Sequence, residues 1–347
     1  MAENPVEKSE EVTMKSLTAF GNNRIEIVES AAPNISDDEL LVAPLLTGLC
    51  GTDLEIIHSK IDPAYVIYPT VLGHEWCGVI TEIGKSVDGF NVGDRIVVEG
   101  IIPCENCHEC TSGNSNRCTT YDEIGFTRPG AAAELIRVPA RLAHVLADAV
   151  SNESGALVEP TAVVTQGILK ANPLPGAKVL VIGDGTIAMI AGRLIQNWSP
   201  SSVHMLGLKP GQSALSELAG VDNFYTEFPD EKYDLIIEAS GSSARISESI
   251  KALVRGGKLL LLGFTGSDIQ TPISIDDVVN GDLSILASFG YSRSAWRETV
   301  KLLNSGALDL TFMVTHKFAL SDYQSAVSAL ESAPAPRGKI SFEIGKQ

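Results

Sequence analysis

Lys178-Val179-Leu180-Val181-Ile182-Gly183-Asp184-Gly185-Thr186-Ile187-Ala188 decides the fold class of this chain. The first five residues read as a buried strand, the glycines as a tight turn, and the apolar run reaching about Trp198 as a helix. Strand, glycine turn and helix in that order make the G-x-G-x-x-A form of the dinucleotide fingerprint. Gly183 allows the turn, Gly185 the close approach of a pyrophosphate, and Ala188 the packing of helix on strand, while Thr186 and Ile187 open the helix beside the phosphates.

Downstream the same alternation continues. Residues 203–206, 234–238 and 258–262 read as strands, 211–218 and 244–254 as helices, and 283–289 as the last strand of one parallel sheet. An acid about 20 positions past the glycines ordinarily holds the ribose 2′-OH of NAD. The chain has Gly207-Leu208-Lys209 there. Without the acid a 2′-phosphate meets no repulsion, and Lys209 offers it a partner, which favours NADP over NAD. The other reading makes Lys209 an exposed loop charge, with NAD bound lacking its usual anchor. Gln212 adds no second charge.

Upstream of the fingerprint the chemistry changes. Cys50-Gly51-Thr52-Asp53 and Gly73-His74-Glu75 supply a thiolate, an imidazole and a carboxylate, donors that suit a borderline-soft ion such as zinc. In 156–164 an apolar helix carries Glu159 just before Pro160. A carboxylate in that setting is either a further metal ligand or a first-turn acid stabilised by the helix dipole. Cys104-x2-Cys107-x2-Cys110-x7-Cys118, in an excursion rich in Asn, Gly and Ser, has the spacing of a closed tetrahedral zinc site. Two disulfides or four free thiols are the competing readings, and no secretory signal favours the disulfides. Between Met14 and about Pro139 short apolar runs alternate with turn residues, the pattern of an irregular barrel.

At 347 residues two domains are expected. The balance of 26 basic against 43 acidic residues, net −17, argues against nucleic acid and anionic membrane as partners. No long apolar run or basic leader appears, so a cytoplasmic protein is expected. Residues 1–13 read as a flexible extension. Residues 14–155 then form the first part of a catalytic domain and 156–292 the dinucleotide-binding domain. Residues 293–347, with helices at 294–304 and 321–330 and a closing strand at 339–344, return to the catalytic part.

These motifs in this order resemble the zinc-dependent medium-chain dehydrogenases, over a span from about Met14 to the C-terminus. The resemblance implies a GroES-like catalytic domain with a Rossmann domain, and two zinc ions per chain. Cys50, His74 and Glu159 would hold the catalytic ion, with Glu75 adjacent and able to exchange with a water, and the four-cysteine lobe would hold the structural one. Glu159 stands where alcohol dehydrogenases carry a second Cys, which is similar to the branch acting on polyols, sugars and cyclitols. Gly73-His74-Glu75-Trp76 with Ile124-Gly125-Phe126-Thr127 also resembles enzymes oxidising amino-cyclitols. The resemblance further implies that Thr52 takes the alcohol proton, Asp53 orients His74, Lys339 contacts the cofactor pyrophosphate, and Trp76 and Tyr291 line the substrate pocket. Glu55 replaces a relay His and can instead bond a second substrate hydroxyl. A homodimer or homotetramer is the expected assembly. Two rivals stay open: an NADPH-dependent aldehyde or ketone reductase using the same residues, and a zinc-stabilised nucleotide-binding protein without turnover.

Overall fold

The computed structural model describes residues 13–345. The first twelve residues of the expected extension lie outside them, whereas Thr13 already belongs to the strand Thr13–Gly21, paired antiparallel with Arg24–Ala31.

The fingerprint strand Lys178–Ile182 sits in the middle of a six-stranded sheet, with Ser202–Leu206 and then Asn223–Tyr225 on one side. On its other side lie Tyr233–Glu238, Leu253–Leu261 and Ser284–Ala287. All neighbours run parallel. In chain order the sequence of strands across the sheet is 3-2-1-4-5-6, the doubly wound Rossmann order, whose switch point falls beside the fingerprint. A central parallel strand is covered on both faces, which is why Val179, Leu180, Val181 and Ile182 are all buried. Asn223–Tyr225 is a strand that the sequence did not announce: its apolar residues are too few to show a period. The strand expected at 258–262 begins earlier, at Leu253, so the preceding helix Ser243–Ala252 stops two residues short of expectation.

The rest of the chain builds a second, mainly antiparallel body. Its long strand Glu39–Leu49 pairs with Glu75–Ile83 on one side and with the late strand Lys339–Glu343 on the other. Arg95–Val98, Ala143–Val145 and Val314–Ala319 extend this sheet. The final strand therefore lies beside the segments carrying Cys50 and Glu75, although most of the chain separates them.

Helix Val158–Ala171 joins the two bodies. Its buried residues include Val158, Ala162, Val164, Ile168 and Ala171, on a helix apolar around most of its surface because it packs on both sides. Thr165 and Thr299 share a hydrogen bond of 2.7 Å between this helix and Arg293–Asn304, both hydroxyls being buried. Truncating the fully buried Ile168 to Ala would cost about 2–5 kcal/mol.

Candidate metal centres and cofactor crevice

Asp53 builds the first centre. Its carboxylate is completely buried at the start of helix Gly51–Ile57 and accepts the backbone N–H of Cys50 at 2.8 Å. Its other oxygen accepts the N–H of Gly73 at 3.4 Å, so one acid ties together the two segments that carry Cys50 and His74. His74 Nε2 then faces Cys50 Sγ at 3.3 Å, and donor atoms of Cys50, His74 and Glu75 all lie within 4.8 Å of one another. His74 Nδ1 points toward Asp53 at 3.8 Å, too far for a hydrogen bond, and is a buried nitrogen without a partner. Asp53, expected to orient His74, faces the ring nitrogen by charge and holds the neighbouring Gly73 backbone by a hydrogen bond.

Lys339, expected at the cofactor pyrophosphate, forms a buried ion pair with Glu75 Oε2 at 2.5 Å. A buried ammonium requires a counter-charge, and the pairing of the final strand with Glu39–Leu49 delivers one. Gly48 makes the approach feasible, since a Cβ there would lie 2.8 Å from Glu75 Oε2 and 3.1 Å from Lys339 Cε.

The acids at this centre outnumber its cations. Burial, reinforced by Asp53, pushes the Cys50 thiol up. Burial pushes the half-buried Glu159 carboxyl up to about 8, with Glu75 and Glu123 adding to the push and His74 opposing it. Burial alone would lower His74, but the facing Cys50 and Asp53 outweigh it and hold the imidazole well above its ordinary value. Donors that retain protons for want of positive charge are the chemistry a divalent ion relieves, so the residues fit zinc. Glu159 reaches the centre from the first turn of its helix but stands outside the tight group of Cys50, His74 and Glu75.

The lobe carries the second cluster. Cys104, Cys107, Cys110 and Cys118 are free thiols with sulfur atoms within 4.8 Å of one another, and Cys107 to Cys110 measures 3.4 Å. Tetrahedral zinc–thiolate bonds place sulfurs about 3.8 Å apart, so this donor set also fits zinc. The Asn106 backbone and the Thr120 hydroxyl lower Cys104 to about 6, while burial and the neighbouring sulfurs raise Cys110 to about 12. His108 between them is exposed, as a solvated loop residue should be.

Both expected substrate residues are buried, and burial, followed by the charges of Glu159 and Glu123, pushes the Tyr291 phenol well above its ordinary value. Trp76 is core: alternation along Glu75–Ile83 turns it away from Glu75 and into a cluster with Leu40, Ile80 and Ile96. Tyr291 is buried, and its hydroxyl accepts the N–H groups of Gly100 at 2.9 Å and Ile101 at 3.3 Å, so it fastens the end of the parallel sheet to the other body. Thr52 is half-buried and Glu55 exposed on the helix after Cys50. Glu123 was not foreseen. Strand alternation puts Ile124 in the core and Glu123 on the side of Gly125, which packs against His74. Burial raises its carboxyl, opposed by His74, and no hydrogen bond or ion pair engages that carboxyl among the described residues. The signal was an acid directly before a core isoleucine.

The cofactor crevice of about 330 Å³ opens at the sheet's switch point, lined by Gly183, Gly185, Gly207, Leu208, Ser242 and Arg245. The helix Thr186–Leu194 starts there with its N–H groups aimed into it. The Lys209 side chain is exposed at the rim.

The family model described as alcohol dehydrogenase GroES-like domain matches residues 36–148, and that described as zinc-binding dehydrogenase matches 215–305. The chain belongs to the zinc-dependent medium-chain dehydrogenases. A sorbitol dehydrogenase of Bacillus subtilis (strain 168) is 27% identical over 335 residues, covering 90% of this chain and 92% of that protein. The crystal structure of galactitol-1-phosphate dehydrogenase from Escherichia coli superposes with a TM-score of 0.85 at 25% identity, over 95% of this dehydrogenase and 99% of that chain. A zinc-binding dehydrogenase fold from Sinorhizobium meliloti 1021, solved bound to NADP, gives a TM-score of 0.90 at 24% identity over 96% and 100% of the two chains. Among the described residues no helix is long and apolar enough to cross a membrane.

Proposed function

We propose that this dehydrogenase transfers hydride between a secondary alcohol of a polyol, sugar or cyclitol and a nicotinamide dinucleotide, using Cys50, His74, Glu75 and Glu159 as the donors of a catalytic zinc. The observation that carries the reading is the close group of half-buried Cys50 with buried His74 and Glu75, short of positive charge and held in place by Asp53. A zinc ion bound there supplies Lewis acidity toward a carbinol oxygen, and the dinucleotide supplies the hydride acceptor.

The chain's own groups do the rest. The half-buried Thr52 hydroxyl, two residues past Cys50, accepts the alcohol proton as it releases its own to solvent. Lys339 pairs with Glu75, orients it, and lets it remain close to the centre without adding unbalanced charge. Glu55 and Glu123 offer acceptors for further hydroxyls of the substrate, which supports a polyol over a simple alcohol, as do the sorbitol and galactitol-phosphate relatives. The four lobe cysteines hold a second, structural zinc. The same reading divides the chain into a catalytic part of 14–155 and 293–347 around a nucleotide-binding part of 156–292. Six cysteines free of disulfides support a cytoplasmic location. The exposed edge strand Ser284–Ala287, with Ile285 and Phe289 uncovered, supports a homodimer or homotetramer. Gly207 and Lys209 at the rim speak for NADP; Asp184, treated below, speaks for NAD.

The test is an initial-rate panel of polyols, sugars, amino-cyclitols and simple alcohols on zinc-loaded protein with each dinucleotide. Turnover of vicinal diols is expected. Turnover confined to simple alcohols would overturn the substrate class.

A further inference from the structure

The residue between the two fingerprint glycines needs no charge for the turn, yet here it is Asp184. From the end of the central strand its carboxylate reaches sideways to the end of the neighbouring strand Ser202–Leu206. There Oδ2 accepts the backbone N–H of Leu208 at 2.8 Å and of Lys209 at 2.9 Å. Successive N–H groups converging on one point form an anion-binding nest, and this nest is filled from within the chain. The local sequence is adapted to it: a Cβ at residue 207 would fall 2.7 Å from Asp184 Cβ and 2.6 Å from Phe224 Cζ, so only glycine lets the carboxylate in. Gln212 fixes the same corner, donating to the Asp184 carbonyl oxygen at 2.7 Å and accepting the Arg337 N–H at 2.7 Å.

The missing acid after the second strand and the presence of Lys209 suggested a site for a 2′-phosphate. A 2′-phosphate at this position would need the N–H groups of Leu208 and Lys209, and it would bring close to two negative charges against a fixed carboxylate. Arg245, the cation that lines the crevice, already donates to Glu248 at 2.8 Å. A ribose 2′-OH, in contrast, loses nothing and finds an acceptor.

We propose that Asp184 sets the cofactor preference of this dehydrogenase toward NAD: Oδ2 occupies the nest that a 2′-phosphate would require, and Oδ1 accepts the ribose 2′-OH. The acid that usually stands after the second strand has been replaced by one inside the glycine turn, and Gly207 is the space it needs. This rests on the dinucleotide reading of the crevice.

The experiment is equilibrium titration of the zinc-loaded full chain with NADH and with NADPH, followed by nucleotide fluorescence, and with 5′-AMP and 2′,5′-ADP as half-site probes. The wild type is expected to bind NADH at least tenfold tighter than NADPH. Asp184→Asn, which keeps an oxygen for the two N–H groups but removes the charge, should bring the ratio toward unity chiefly by tightening NADPH. Asp184→Gly should tighten 2′,5′-ADP further, and adding Lys209→Ala should take that gain away. Wild-type preference for NADPH, or equal weakening of both nucleotides in Asp184→Asn, would overturn the assignment while leaving the crevice a dinucleotide site. Binding of neither nucleotide would overturn both.

Discussion

The two clusters of soft donors are built in opposite ways. The lobe draws its four sulfurs from one contiguous stretch, Cys104 to Cys118, closed by its own turns and the short helix His108–Thr111. The other centre draws Cys50, Glu75, Glu159 and Lys339 from four distant segments and relies on a shared sheet and a bridging helix to bring them together. A local cluster needs only its metal to fold, whereas an assembled one needs the whole framework and can therefore keep a side open to substrate. The lobe is still not isolated. Arg293 Nη2 donates to Glu105 at 2.9 Å and Asn116 to the Phe289 carbonyl at 2.8 Å, so it is docked where the last parallel strand leaves the sheet.

The widest separation between the two should appear on removing one sulfur from each. Cys50→Ser is expected to lower turnover by about a thousandfold or more, the loss of several kcal/mol of charge stabilisation, with the lobe zinc and the melting temperature nearly unchanged. Cys110→Ser should instead release the lobe zinc and lower the melting temperature, with activity falling only as the protein unfolds. Metal content by elemental analysis, with melts and rates on the same samples, checks both. Equal loss of activity and stability in the two variants would erase the distinction.

A second effect is a pH slope confined to the assembled centre. Glu159 has a folded pKa of about 8 against an ordinary 4.5, raised by burial. An acid raised on folding gives up its proton first in the unfolded chain. Metal-free protein should therefore lose stability as pH rises from about 4.5 to about 8. Denaturant midpoints of chelated protein across that range measure the slope. Glu159→Gln should flatten it, and saturating zinc should reverse it.

The smallest expected change lies at the fastening between the bodies. Tyr291→Phe keeps the ring against Trp296, 4.9 Å between centroids, but leaves the Gly100 and Ile101 N–H groups unanswered. A cost of about 1–3 kcal/mol is expected from urea unfolding. A neutral result would return Tyr291 to the role of a pocket residue.

The same contrast explains what could be read from the chain. The fingerprint, the lobe and the strand rhythm are local patterns, carried by spacing over a dozen residues, and the strands of the parallel sheet followed from them with only the short strand Asn223–Tyr225 unannounced. Cys50, His74 and Glu75 were legible as one metal site with Asp53 and Glu159 beside it, but not the neighbouring Glu123 or the ion pair of Glu75. That Lys339 faces Glu75 depends on a strand pairing across most of the chain, and that Trp76 turns into the core depends on the register of Glu75–Ile83. Asp184 stood in plain view within the most recognisable motif. Its role was hidden because the N–H groups it occupies belong to another strand's end.

The pairing of Lys339–Glu343 with Glu39–Leu49 also has a consequence in time. During synthesis Cys50, His74 and Glu75 leave the ribosome hundreds of residues before the lysine that balances Glu75. Until the final strand docks, that centre lacks its buried ammonium and the strand Glu39–Leu49 keeps part of one edge unpaired. A protease that clipped this strand would return the enzyme to its nascent condition without touching any donor.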